Sequence, residues 1–133
     1  MGYELDPWYI TGLCEASASF TYSRSGKNIG LYFAVKMPAA DNELIEKLYN
    51  YFGAGKVYDV QNVRYYRMTR IEELDMIVEH FDHYPFHGEK KKRYDVWKQI
   101  LLLKKNKPGG YLGEIEKLAV LLSSMNPKKL PRV

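Results

Sequence analysis

Two strand pairs, each followed by a helix, occur in succession along this chain and limit the folds it can adopt. In the first unit, strands with period-two alternation at residues 18–24 and 29–37 precede a helical pattern at 44–52. The second unit repeats this order at 56–60, 64–69 and 71–81. A duplicated strand–strand–helix unit predicts one four-stranded antiparallel sheet with helices on a single face.

Further helices flank the duplicated units. Asp6 and Pro7 open the first one, because Asp accepts amide hydrogen bonds at an N-cap and Pro fits the first helical position. This helix, at 8–17, is apolar on nearly all sides except Glu15, so we expect it to be buried on most sides. A basic amphipathic helix follows at 94–104. The predicted fold class is α+β, in the order α-ββ-α-ββ-α-α with a last short helix at 115–124, as one domain over residues 1–133.

Composition excludes several classes of protein. Apolar residues make up 46% and charged residues 27%, which is the balance of a globular chain rather than a disordered one. No apolar run approaches the roughly 18 residues of a membrane span, and the N-terminus lacks the pattern of a secretory signal. The single cysteine, Cys14, cannot form an internal disulfide. We therefore expect an intracellular protein in a reducing compartment, not secreted and without a membrane partner.

Polar side chains line the face of the predicted sheet that no helix covers. Phe20, Tyr22 and Tyr66 are expected to point inward, and their neighbours to point outward. The outward set has few acids, and its hydroxyl and arginine groups are those that read base edges in the DNA major groove. An ordinary solvated sheet face is the alternative. The strand residues predicted to bind DNA are Ser19, Thr21, Ser23, Tyr32, Lys36, Tyr65, Arg67 and Thr69, and those near turns or strand ends are Arg24, Lys27, Asn28, Tyr58, Gln61 and Asn62.

Positive charge is concentrated between residues 87 and 107. This stretch has eight basic and two acidic residues, a local excess of +6 against +4 for the whole chain. A polyanion such as DNA or RNA is one partner that would explain it, and a solvated helix face is the other interpretation. Lys91 and Lys92 are the residues of this stretch that we predict to contact DNA.

The first helix carries a recognisable motif. Residues 10–20 read ITGLCEASASF, and segments at 51–58, 66–69, 80–86, 90–97 and 123–126 accompany it in a characteristic order. Together they resemble the LAGLIDADG homing endonucleases over nearly the whole chain. The resemblance implies the fold of that family and an intron-encoded enzyme that hydrolyses a long, nearly palindromic double-stranded DNA site with Mg²⁺ as cofactor.

Small residues on the motif helix suggest close helix packing. Gly12 and Ala16 lie four residues apart, hence on one helix face, where small side chains let two backbones approach. The resemblance implies that members with a single motif are homodimers that pair these helices, and packing within the chain is the alternative. The residues predicted at the dimer interface are Trp8, Thr11, Gly12, Glu15 and Ala16.

The motif departs from the family pattern at its catalytic end. In active members the motif ends with an acid that holds divalent metal ions between the two chains, but Ser17 stands here. Ala16 and Ser17 occupy the metal-binding positions of the motif. Because a neutral hydroxyl is a poor ligand for a hard cation, we expect them to bind a metal ion only weakly. Glu15 matches an earlier acid of the motif, and a two-residue offset turns it about 200° away around the helix.

Two further positions bear on catalysis. The resemblance assigns Lys90 to the family's active-site lysine, with the register among Lys90, Lys91 and Lys92 open by one residue, and a nearby acid of many relatives appears as Arg93. Relatives often have a glutamine near the position that Met37 occupies here, and the resemblance implies that this glutamine helps to arrange active-site water. The catalytic positions are therefore Ser17, Lys90 and Met37.

The sequence hypothesis is a homodimer that binds DNA and cleaves it weakly or not at all. The alternatives are an RNA-binding splicing cofactor, which would use the basic stretch at 90–107, and a regulatory DNA-binding protein without catalysis. His80, His83 and His87 lack a standard zinc spacing and are interpreted as structural or surface residues. Cys14 is predicted to be a core residue rather than a nucleophile.

Overall fold

The computed structural model describes residues 5–125 and confirms the predicted order of elements. The elements are α1 (Pro7–Ser17), β1 (Ala18–Ser25), β2 (Asn28–Pro38), a short 3-10 turn (Ala39–Asp41), α2 (Asn42–Phe52), β3 (Lys56–Val60), β4 (Val63–Met68), α3 (Ile71–His83), α4 (Lys90–Asn106) and α5 (Leu112–Ser124). Asn126, in the last segment that resembles the family, lies outside the described residues. None of these helices is long and apolar enough to cross a membrane.

The four strands form one antiparallel sheet in the order β1-β2-β4-β3. Tight turns join each strand pair. Gly26 has φ 61°, and Gln61 and Asn62 have φ 48° and 64°. Two successive left-handed residues suit the right-handed twist of a hairpin. The turn at Gln61-Asn62 therefore falls between the strands predicted at 56–60 and 64–69.

The helices cover one face of the sheet, and an aromatic cluster fills the space between them. Phe20 on β1 lies at its centre. Its ring is 5.2–5.6 Å from the rings of five others, mostly in edge-to-face arrangements: Phe33, Phe81, Phe86, Tyr94 and Trp97. This cluster fixes which face of the sheet is inside, and we call that face the helix side.

The expectation that α1 is buried on most sides is wrong for the single chain. Ile10, Thr11 and Cys14 are buried, but Trp8 and Tyr9 are 51% and 52% exposed. Gly12 and Ala16 are exposed on the same part of the helix. We call Trp8, Tyr9, Gly12 and Ala16 the α1 exposed face. Part of the apolar surface of α1 is thus left uncovered by the rest of the described chain.

Strand alternation places two predicted site residues on the helix side instead of the uncovered face. Met37 is 5% exposed and belongs to the hydrophobic core. A buried thioether there cannot arrange water or touch DNA, so its assignment to catalysis is corrected. Arg24 shares the side of Phe20, and its guanidinium donates two hydrogen bonds of 2.9 Å to the Glu116 carboxylate of α5. Its assignment to the DNA-binding face is corrected for the same reason.

Candidate nucleic-acid interface and cleavage centre

The uncovered face of the sheet carries no acidic residue on the described strands. Residues that pair directly across antiparallel strands point to the same side, so the strand register defines this open face. Asp59, the one acid on the described strands, lies on the helix side and pairs with Arg64 at 2.9 Å. The open face consists of Ser19, Thr21, Ser23, Ser25, Asn28, Gly30, Tyr32, Ala34, Lys36, Pro38, Lys56, Tyr58, Val60, Val63, Tyr65 and Arg67.

Aromatic rings hold the positions of several open-face side chains. Tyr58 and Tyr65 stack with ring centroids 5.2 Å apart and planes 8° from parallel. The Arg67 guanidinium carbon lies 3.9 Å from the centroid of the Tyr32 ring. Such contacts restrict side-chain rotation, so the face presents its polar groups in defined positions.

The structure brings most of the predicted DNA-binding residues together. The register places Ser19, Thr21, Ser23, Asn28, Tyr32, Lys36, Tyr58, Tyr65 and Arg67 on the open face. Lys27, Gln61 and Asn62 lie exposed in the hairpin turns, and Thr69 lies exposed one residue beyond β4. Lys56, opposite Arg67 on β3, was missed. The alternation of Lys56 with Tyr58 is the signal that could have found it.

A cleft of about 470 Å³ lies between the end of α1 and the start of α4. Glu15, Ala16, Lys90 and Arg93 are among its lining residues. The Lys90 ammonium group donates a hydrogen bond to the Ala18 carbonyl oxygen. Burial, with the nearby Arg93 charge, lowers the pKa of Lys90. Of the three consecutive lysines, Lys90 is therefore the one directed at the motif end.

The Glu15 carboxylate contacts the loop between α3 and α4 at the margin of the α1 exposed face, seven residues from Trp8 along the helix. Its Oε1 accepts hydrogen bonds from the backbone amides of His87 and Gly88, at 3.0 Å and 3.2 Å. These bonds tie α1 to the loop between α3 and α4. The carboxylate therefore acts within the chain, and the assignment of Glu15 to the dimer interface stays a prediction.

Thr11 faces inward, at 4% exposure, which corrects its assignment to the dimer interface. Its hydroxyl donates to the Tyr84 carbonyl oxygen at 2.7 Å and lies 3.0 Å from His80 Nε2. Since the hydroxyl proton is directed at Tyr84, His80 Nε2 is the donor to Thr11. His80 Nδ1 then accepts from the Tyr51 hydroxyl at 2.9 Å. Burial lowers the pKa of His80 to about 4, so this imidazole is neutral near pH 7.

The other two histidines have different environments. His83 Nδ1 donates to the Glu79 carbonyl oxygen at 2.8 Å, and His87 stacks on Trp8 with ring centroids 6.4 Å apart. Within residues 5–125, no group of three histidine, cysteine or acidic side chains is arranged to hold a metal ion. Cys14 lies in the core, as predicted, and burial raises the pKa of its thiol to about 12.

The basic stretch is less concentrated in space than in sequence. Lys98 pairs with Asp82 at 2.6 Å and Lys105 with Asp75 at 2.7 Å, and both acids belong to α3. The two lysines predicted to contact DNA pair along α4: Lys91 with Asp95 at 2.6 Å and Lys92 with Glu89 at 3.3 Å. Exposed pairs of this kind are individually weak, but together they favour the interpretation of a solvated helix face.

The family of the chain follows from a profile of the LAGLIDADG endonucleases, which matches residues 10–101. The chain belongs to this family. It is 32% identical to an uncharacterized 50.9 kDa protein in ND4 intron 1 of Podospora anserina, over 77% of this chain and 25% of the relative. It is 30% identical to a probable intron-encoded endonuclease 3 of Neurospora crassa, over 89% of this chain and 24% of the relative. The chain thus spans about a quarter of the length of these curated relatives.

Solved structures confirm the LAGLIDADG homing-endonuclease fold. The meganuclease I-AabMI, bound to uncleaved DNA, superposes with a TM-score of 0.84 at 26% identity, over 92% of this chain and 45% of that one. The homing endonuclease I-TnaI gives a TM-score of 0.82 at 20% identity, over 96% of this chain and 92% of that one, and shows the fold alone.

Proposed function

We propose that this chain binds a long, nearly palindromic double-stranded DNA site as a homodimer. The open face would lie in the major groove, and the α1 exposed faces of two copies would pair. The observation that carries the proposal is an acid-free sheet face beside an uncovered apolar helix face, in a chain similar to a meganuclease bound to DNA. We further propose an intron-encoded protein of a reducing intracellular compartment.

We propose that DNA cleavage by this chain is weak or absent. LAGLIDADG endonucleases generally depend on divalent metal ions, and metal-assisted hydrolysis needs anionic oxygen ligands. The residues at the motif end do not fit such an ion. Ser17 offers only a neutral hydroxyl and Ala16 a backbone carbonyl. Glu15 Oε1 accepts two backbone amides, and its Oε2 is buried without a hydrogen-bond partner. The Lys90 and Arg93 cations line the cleft together with Glu15 and Glu89, so the positive charges oppose a bound cation.

Selection of bound sequences from a random duplex pool tests the binding proposal, with structured RNA as a competitor. We expect a symmetric enriched DNA site and a complex that contains two protein chains. Recovery of structured RNA in preference to every duplex would contradict the proposal and favour the splicing-cofactor alternative.

Restoring the acid tests the cleavage proposal. We expect Ser17→Asp to raise the rate at which a plasmid with the selected site is cut in Mg²⁺ or Mn²⁺. The matched control Ser17→Asn, of equal size but neutral, should leave the rate unchanged. Cutting by the natural chain as fast as by the Asp variant would show that Ser17 is no impediment. If Ser17→Asp binds DNA but cleaves it no faster, another position, such as Arg93, must also limit cleavage.

A further inference from the structure

Arg67 differs from the other two strand arginines in having no acidic partner within the described part of the chain. Arg24 binds Glu116, and Arg64 binds both Asp59 and Glu46, at distances of 2.7–2.9 Å. All of these pairs lie on the helix side or at its margin. Arg67 makes no hydrogen bond or ion pair with any other side chain among residues 5–125, and its Nε is buried without a partner. Residues 5–125 therefore leave the donors of this one strand arginine unused.

The guanidinium of Arg67 is nevertheless held in place. It stacks on the Tyr32 ring at 3.9 Å. Across β2 its register partner is Ala34, whose small side chain leaves room for the stack, and across β3 it is Lys56. A stacked guanidinium keeps its planar fork of donors while losing little freedom on binding. The site is thus prepared for a ligand with two adjacent acceptors.

The position of Arg67 favours a base edge over a phosphate. It lies on β4, an inner strand of the sheet, between β2 and β3. A sheet in the major groove presents its middle to the bases, and its turns and edges come closer to the phosphates. Guanine shows two acceptors there, N7 and O6, whereas adenine shows one acceptor beside a donor. The fork of Arg67 matches guanine.

We infer that Arg67, positioned by Tyr32, is a specificity-determining residue that reads one guanine in each half-site. This inference rests on the proposed function, because it assumes that the open face enters the major groove. A homodimer would then require this guanine twice, at symmetric positions of the site.

The test compares base preferences of the natural chain with those of Arg67→Lys, which keeps the charge but loses the planar fork. At one symmetric pair of positions, we expect the natural chain to prefer guanine about 5- to 150-fold per half-site, the usual range for a bidentate contact. Arg67→Lys should lose most of this preference. Tyr32→Leu should weaken it, and Tyr32→Phe, which keeps the ring, should retain it. The matched control is Lys27→Gln in an exposed turn, which should weaken binding to all sequences alike.

Modified DNA provides a measurement on the natural chain that does not depend on how the variants fold. Replacing the preferred guanine by 7-deazaguanine removes N7 and should reduce binding at that position only. The inference is overturned if a defined site is selected but Arg67→Lys keeps every base preference, or lowers affinity uniformly as Lys27→Gln does. It is also overturned if 7-deazaguanine is tolerated at every guanine of the site. In those cases the DNA-binding proposal stands, whereas failure of the natural chain to select any duplex site overturns both.

Discussion

Neighbouring residues of α1 point to different surroundings because each step along a helix turns by about 100°. Thr11 reaches the buried His80, Gly12 faces outward, and Glu15 reaches the α3–α4 loop. The motif therefore serves two purposes: its inward side chains fasten α1 to this chain, and its outward ones remain available to another copy. The buried contacts are the ones whose energetics can be tested in the single chain.

His80 should make stability depend on pH. Its pKa is lowered to about 4 in the folded chain, whereas an unfolded histidine titrates near 6.5. Between these values the unfolded chain binds the extra proton, so the free energy of unfolding falls as pH falls through this window. The contribution is on the order of 3 kcal/mol across the window. Urea unfolding between pH 4.5 and 7.5 should show a flatter pH dependence for His80→Gln than for the natural chain.

The matched control is His83→Gln, because His83 is exposed. It should keep the pH dependence of the natural chain. The pKa can also be read directly from the histidine ring resonances by NMR. Titration of His80 near pH 6.5, or equal flattening by the two substitutions, would contradict the assignment.

At the scale of elements, α1 and α4 show why composition alone misleads. The excess of apolar residues in α1 suggested burial within the chain, yet Trp8 and Tyr9 are about half exposed. The excess of lysines in α4 suggested a polyanion surface, yet Asp75 and Asp82 of α3 lie against it. In both helices, the neighbouring elements determine which apolar residues are buried and which lysines are paired.

Gly12→Leu should separate dimerisation from folding. Among residues 5–125, no atom lies within 4 Å of where a side chain at Gly12 would begin, other than the backbone of its own helix turn and adjacent residues. Leucine also favours a helix over glycine by roughly 1 kcal/mol, so the chain should fold at least as well. On the α1 exposed face, however, the side chain would hold two helices apart. Sedimentation velocity should show the natural chain as a dimer and the variant at the 15.6 kDa of one protomer.

Gly113→Leu is the matched control, since Gly113 is an exposed helical glycine of α5 with equally open surroundings. It should leave the dimer unchanged. An unaltered dimer dissociation constant for Gly12→Leu would exclude α1 pairing as the means of assembly.

Across the whole molecule, the sheet separates two kinds of surface. The open face and its turns carry Lys27, Lys36, Lys56 and Arg67 without a strand acid. Elsewhere in residues 5–125, six cations pair with carboxylates: Arg24, Arg64, Lys91, Lys92, Lys98 and Lys105. A small net charge of +4 therefore conceals an uneven distribution. A DNA partner would sense the local surface within a Debye length of about 10 Å rather than the net charge.

The salt dependence of DNA binding should report which surface is used. Each phosphate contact contributes about 0.9 to the slope of log affinity against log salt concentration. Lys27→Gln should therefore lower the magnitude of this slope by about 2 in a homodimer, which loses two contacts. Lys98→Gln, whose lysine pairs with Asp82, should leave the slope unchanged. A larger effect of Lys98→Gln, especially on structured RNA, would favour the splicing-cofactor alternative.

Local patterns in the chain were enough to predict the order of elements, the two hairpin turns and the inward or outward direction of most strand residues. Period-two alternation separates Phe20 and Tyr66 from Thr21 and Arg67 without knowledge of any partner. The same alternation, applied strictly, places Arg24 with Phe20 on the helix side. Alternation along each strand is therefore enough to predict the direction of side chains throughout the sheet.

Contacts between residues distant in the sequence were decided only by the tertiary structure. The pairing of Lys98 with Asp82 depends on the packing of α4 against α3, and the burial of Thr11 depends on His80. Arg67 likewise has no hydrogen-bonding or acidic side-chain partner among residues 5–125, because none of the described elements packed around the sheet brings such a group to it. The physical reason is that charge pairing and burial depend on distances in space. Helical spacing and strand alternation determine which way a side chain points, but not what it meets.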